Sequence, residues 1–520
     1  MTTSVLPSPP AAPSAPPPAT APQAGPPARP DPPRRLRLRT VPGRIRAWTA
    51  AAVVALLALF GLATMAISDA RAGLDVLGEH GAGRQVVTTA NLYYALSDMD
   101  TQVANLLLIG GERLGGVREE AEKRYEQSRA QASEALLQAA RLADDETERE
   151  TVRSLLTKLG EYERLAERAR QLNEQDGHTA GRPENPEVLR QYREATELMR
   201  LELLPQAYNA TLDSGVLVRR TYEEQHAAVQ TGRLAVAAAG LATLVALVGL
   251  QVYLAHRFRR ILNPALLAAT VVVTVLVGLV MGLLDREAAN LRTAKQDGFD
   301  SVLALKRAQA ISNSLHGDQS RYLLDPDAAD TYEQVYLDKS QRVLHTDAGN
   351  LKKYYASLRT VRREYPGKVT FLGLLGDEAN NARTKTHRDA LAETLRRYEA
   401  FQQTDERLRR MNPSNQSNQS NQPQVNQTAD PSQVTQSQTG RPRPDLSQVV
   451  RFRMADVAKA FDEYDKSLMG LADSHERTLR AAIKNGEDAL GGWDYRLPAA
   501  ILAAAVLIFV GVRPRLQEYR

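Results

Sequence analysis

Four stretches of this sequence are long, apolar and almost free of charge, and they limit what the chain can fold into. They cover residues 47–67, 234–255, 261–284 and 497–512. The first three hold 21, 22 and 24 residues, enough for the roughly 20 that a helix needs to cross a bilayer. The fourth holds 16, but Trp493, Tyr495 and Pro498 at its head set its start earlier, with aromatic side chains at the interface. The expectation is an all-α membrane protein with four transmembrane helices and two long polar segments between them.

Charge sets the orientation. Arg29, Arg34, Arg35, Arg37, Arg39, Arg44 and Arg46 precede the first span, Arg257, Arg259 and Arg260 link spans two and three, and Arg513, Arg515 and Arg520 follow the last. These thirteen arginines, less Asp31 and Glu518, carry +11 of a formal +5, which leaves the rest of the chain at −6. Basic stubs on one side of an even number of spans obey the positive-inside rule. Both termini and the short link are expected in the cytoplasm of a cell (inner or plasma) membrane, and both long segments outside. Nucleic-acid binding would need a basic patch on a folded domain, and none is present. The first apolar core exceeds the 7–15 residues of a signal peptide and follows a 46-residue tail, so it reads as an anchor. The absence of cysteine fits outer domains held by helix packing.

The layout follows from these boundaries. Residues 1–46 form a Pro-rich cytoplasmic tail, disordered by composition, with thirteen of the 27 prolines in its first 33 positions. Spans at 47–70, 234–255, 265–284 and 497–512 separate an outer bundle at 71–233, a basic loop at 256–264, a second outer bundle at 285–496 and a cytoplasmic end at 513–520. Gly and Pro clusters punctuate the first bundle into helices at about 72–109, 117–143, 146–175 and 187–232. Breaks at "LLDPDAAD", at "EYPGKVTFLGLLGDEANN" and at the Ser/Asn/Gln-rich insertion 412–446 divide the second in the same way. Each half therefore predicts an antiparallel four-helix bundle, the two in tandem. Aligning Asp100 with Asp318 sets Ala90 against Ala308 and Leu106 against Leu324, a faint internal repeat. In span three, "GLVMG" fits close helix packing.

Catalysis finds no support. There is no Gly-rich phosphate loop, no H-E-x-x-H and no nucleophile elbow. The eight histidines show no metal-ligand spacing, so neither enzyme, metal nor cofactor is expected. The spans carry no ionisable side chain in their cores, where pumps place theirs; Gln251, Thr270 and Thr274 are their notable polar groups. Candidate contacts lie in the bundles. "ANLYYALSDMDTQVANLLLIGG" has a coiled-coil seam, Leu92, Leu96, Met99, Val103 and Leu106, crowded by Tyr93, Ser97, Asp98 and Asp100. In the second half Asp318 occupies a seam position beside His316 and Arg321. A charge there needs a partner or water. Two readings follow: an Asp–Arg or Asp–His contact that fixes packing, or a polar layer that repacks when something docks. Arg257, Arg259 and Arg260 either meet anionic lipid or dock a cytoplasmic protein.

The segments "LYYALSDMDTQVANLLLIGG", "SLHGDQSRYLL" and "FLGLLGDEANNA" resemble the GlnX-type actinobacterial four-span transmembrane sensors. The resemblance covers about residues 45–520 in architecture and only these segments in sequence. It implies a non-enzymatic transducer that relays the state of an amino-acid (Asp/Glu)-binding lipoprotein outside the membrane to a soluble Ser/Thr kinase, protein kinase G. Partners would be that lipoprotein, the kinase, the bilayer and a possible second copy, with no nucleic acid. The chain departs from the pattern after "GDEANNA", where "RTKTHRD" replaces an apolar-Pro-Gly turn, and in its tail and insertion. Two other readings stay open: a direct small-molecule receptor with chemoreceptor-like four-helix sensing domains, and a structural or transporter-accessory protein.

Overall fold

Helix starts are written in the sequence. Asn263 accepts hydrogen bonds from the amides of Ala265 and Leu266, with Pro264 in the first turn. Asn185 with Pro186, Asn350 and Thr384 do the same for three other helices, each satisfying amides that a helix cannot pair internally. The computed structural model describes residues 41–77, 82–111, 114–143, 146–258, 263–412 and 445–517. Their helices are α1 (Val41–Leu77), α2 (Ala82–Ile109), α3 (Val117–Leu142), α4 (Glu146–Asp176), α5 (Pro186–Leu198), α6 (Leu204–Phe258), α7 (Pro264–Arg292), α8 (Asp300–Leu324), α9 (Ala329–Val343), α10 (Leu351–Glu364), α11 (Leu374–Asn381), α12 (Lys385–Met411), α13 (Leu446–Phe452), α14 (Ala458–Leu490) and α15 (Trp493–Gln517). Among the described residues the only β pairing is one bridge between His345 and Leu372.

Three wide π turns join consecutive helices without a break: Met199–Leu203 before α6, Thr293–Phe299 before α8 and Arg453–Val457 before α14. Helix therefore runs continuously over Pro186–His256 and Pro264–Leu324, and nearly so over Leu446–Pro514. With Gly43–Asp75, these four contain windows long and apolar enough to cross a membrane. In the spans α1 packs on α6, α6 on α7, and α15 on α7 and α1. Leu247, Val273 and Ala504 fill the inside, while Leu57, Leu241, Val271 and Phe509 are exposed on the outside, as lipid contact requires. Glycine allows the closest approaches: a Cβ on Gly249 would meet the Trp48 ring at 2.7 Å, and one on Gly240 would meet Val277 at 2.7 Å. Gly278 and Gly282 of "GLVMG" meet nothing, so the packing glycines lie elsewhere. Gln251 joins α6 to α7 by donating to Thr270 Oγ1 at 2.7 Å and the Leu266 carbonyl at 2.9 Å.

Outside the spans, the two bundles share one continuous apolar core from Leu92 through Tyr192 and Leu315 to Leu471. They meet along α2 and α8, the helices that align in the internal repeat. Thr101 reaches Asn313, and Asn105 reaches Ser320; the contacts climb both helices together, so α2 and α8 run parallel. The second bundle is more broken than the first. Its expected second helix is split into α9 and α10 by a turn at 344–350, and the "FLGLLGDEANN" break holds α11, which packs on α8. Gly373 allows that tuck: at φ +83°, a Cβ there would lie 2.9 Å from the Arg342 carbonyl.

Candidate functional site

The crowded polar face of α2 meets the polar face of α8. Arg321, 1 % exposed, donates through Nη2 to Asp100 Oδ2 and through Nη1 to Asp318 Oδ1, both at 2.5 Å. Asp100 also accepts from Thr196 Oγ1 at 2.8 Å and Tyr162 Oη at 3.2 Å. Asp318 Oδ2 accepts from Lys339 Nζ at 2.5 Å, and Lys339 donates to Ser314 as well. Two carboxylates thus face two cations in a closed, neutral group joining α2, α4, α5, α8 and α9. Burial alone would raise Asp318, but Lys339 and Arg321 bring it below the usual carboxylate value. Burial lowers Lys339 to about 8 against the pull of Asp318.

The remaining candidates lie around this group. Asp98 accepts from Ser128 Oγ at 2.6 Å and Gln102 Nε2 at 3.0 Å, and burial pushes its pKa up. Ser97 is buried, and among the described residues its hydroxyl has no partner. Tyr93 sits apart, its ring 5.8 Å from Tyr208; burial raises its hydroxyl to about 12. His316 stacks on Phe461, centroids 4.2 Å apart and planes within 10°. Burial, and then the neighbouring Arg453 charge, hold it well below the ordinary imidazole value, so it is neutral. Arg453 Nη2 donates to the His316 carbonyl at 2.5 Å, and Nη1 lies 3.2 Å from His316 Nε2. Of the proposed cytoplasmic residues, Arg259, Arg260 and the Arg257 side chain lie outside the described residues.

Between α2, α3, α8 and α14 a cavity of about 470 Å³ is lined by Gln102, Asn105, Arg124, His316, Arg453 and Asp462 among others. A second, of about 320 Å³, adjoins it through Gln102, Arg124, His316 and Asp462 and extends to Asp98, Asn313 and Asp465. Burial raises Asp465 to about 6, and among the described residues its Oδ1 has no partner. Arg124 of α3 reaches Asp462 of α14 at 3.6 Å across the opening.

Reading the sequence missed Lys339, Tyr162, Thr196, Arg124 and Arg453. Arg453 had a signal: Val450, Val457, Tyr464, Leu468 and Leu471 form an apolar seam, and position 453 falls on it. Also missed was His475, whose Nε2 lies 2.6 Å from Glu378 Oε1 with both groups fully buried. Among the described residues no group of three His, Cys, Asp or Glu is placed to hold a metal ion.

Residues 74–223 match the family model of an actinobacterial sensor domain. That stretch takes in the end of α1, all of α2 to α5 and the beginning of α6, which is the first bundle. No curated protein and no solved structure matches the chain. Fold and match together support a membrane protein with a sensor role, of actinobacterial type.

Proposed function

We propose that the protein is a non-enzymatic transmembrane sensor and transducer, with both bundles outside the cell and both termini inside. Its input is the docking of a solute-binding lipoprotein whose state follows aspartate or glutamate, and its output reaches a cytoplasmic Ser/Thr kinase through the tail, the basic loop or the C-terminal end. One observation supports the reading above others: the helices at the joint between bundles lead into the spans. α8 continues back into α7, α6 follows α5 through a π turn, and α14 leads to α15. A partner that binds one packing of α2 against α8 more tightly shifts that equilibrium by its differential affinity alone, and small displacements of packed helices then cross the membrane.

Photocrosslinkers on exposed positions of the two bundles, in cells carrying candidate lipoproteins, test this reading. Adducts whose yield changes with aspartate or glutamate support it. Reporter fusions at Gly177 that place the first bundle in the cytosol would overturn it. A second reading, a direct small-molecule receptor, is favoured by the cavity beside α2 and α8.

A further inference from the structure

We infer that the cavity between α2, α3, α8 and α14 binds a small organic carboxylate, whose anionic group pairs with Arg453. The inference rests on the direct-receptor reading for its place in signalling, and on the residues below for the binding itself. Arg453 is 0 % exposed and lines the cavity, yet among the described residues no carboxylate is ion-paired with it. Among the described residues its hydrogen-bond partners are the His316 ring and carbonyl alone, and its Nε has none. Burial depresses its pKa to about 9 against the pull of Asp405, a carboxylate that is itself held by Arg409, Gln319 and Tyr355. A buried cation with no carboxylate in direct contact is costly enough that an anion is the natural complement.

The three acids that line the cavity are already engaged. Glu120 and Asp462 both face Arg124, at 3.0 and 3.6 Å, and Glu463 pairs with Arg397. Lys459 and Lys466 add further positive charge to the wall. The rest of the lining includes Val117, Ala121, Met454 and Ala458, which suits the carbon body of an organic acid better than a bare inorganic anion. The volume lies within the range of small-molecule sites. Arg453 is also the first residue of the π turn that opens α14, so an anion drawn to it acts at the head of a helix leading to the membrane.

The test uses the full chain in detergent, with thermal unfolding followed by helical circular dichroism. Sodium butyrate and sodium succinate are the probes, with sodium chloride and sodium phosphate as comparisons at matched ionic strength. At about ten times Kd, a carboxylate should raise Tm by about 1.5 °C; chloride and phosphate should not, and Arg453→Met should abolish the rise. Ala458→Leu, which narrows the cavity and leaves Arg453 in place, should abolish it too, and decides the matter alone if Arg453→Met does not fold. A rise that survives either variant, a rise with phosphate only, or no rise with either acid overturns the proposal. Neither lipoprotein nor kinase is present, so a failed relay leaves this result standing, and the reverse.

Discussion

Two arginines are fully buried along α8, and the difference between them is charge balance. Arg321 lies between Asp100 and Asp318, with Lys339 completing a group of two cations and two anions. Arg453, on the side facing α14, is held by a neutral histidine and a carbonyl beside an open cavity. A closed ion group ties five helices into one arrangement, and removing any member strands the others. A buried cation with no ion pair among the described residues contributes little to the fold in the absence of an added anion. One region therefore reads as structure and the other as a place for a ligand, although both arginines look alike in the sequence.

The sharpest way to break this comparison is to remove Asp318. Asp318→Ala leaves Lys339 and half of Arg321 buried without an anion, and should cost about 3–5 kcal/mol in denaturant unfolding. A cost below about 1 kcal/mol would show that the group is not closed. Next comes Asp465, whose pKa is raised in the fold to about 6 from 3.8. The folded state then binds more protons than the unfolded one between those values, so stability falls as pH rises through that window. Asp465→Asn should flatten that slope and stabilise the protein at pH 7 by on the order of 2 kcal/mol.

Arg453→Met probes the contrast directly. Without added anion its stability should stay within about 1 kcal/mol of the parent or rise, since replacing an unpaired buried charge removes a desolvation cost. A loss near that of Asp318→Ala would erase the distinction between the two arginines. The smallest effect belongs to Arg124→Gln at the opening. Its pairings with Glu120 at 3.0 Å and Asp462 at 3.6 Å both join side chains exposed to solvent by 39 % or more, so unfolding should shift by less than about 0.5 kcal/mol.

Much of the fold was legible because its signals are local. Apolar length marks the spans, Gly and Pro clusters mark helix starts and ends, and the later helices of the first bundle begin within a few residues of their expected limits, while the first, expected from about 72, starts at Ala82 because α1 runs on to Leu77. Asp318 stood out because a charge occupies an apolar seam, Asp100 because it crowds one and Arg321 because it neighbours Asp318, and the structure brings these three into one group. Lys339 and Arg124 gave no such signal, since a lysine or arginine on an amphipathic helix usually faces water. Lys339 finds Asp318, and Arg124 finds Asp462 besides its own-helix neighbour Glu120, on other helices, so only tertiary packing reveals those contacts. "GLVMG" shows the converse: its spacing invites a helix neighbour, and the neighbours chose Gly240 and Gly249.

The wide turns have a mechanical consequence. Each places one residue more in a loop of helix than its flanks do, and each lies on a rod that is anchored in the bilayer. If such an extra residue hops one position along the rod, the stretch it passes swivels by about 100°, while both ends keep their height and heading. Three struts of this molecule thus contain a built-in swivel, which calls for neither a piston stroke nor a melted segment.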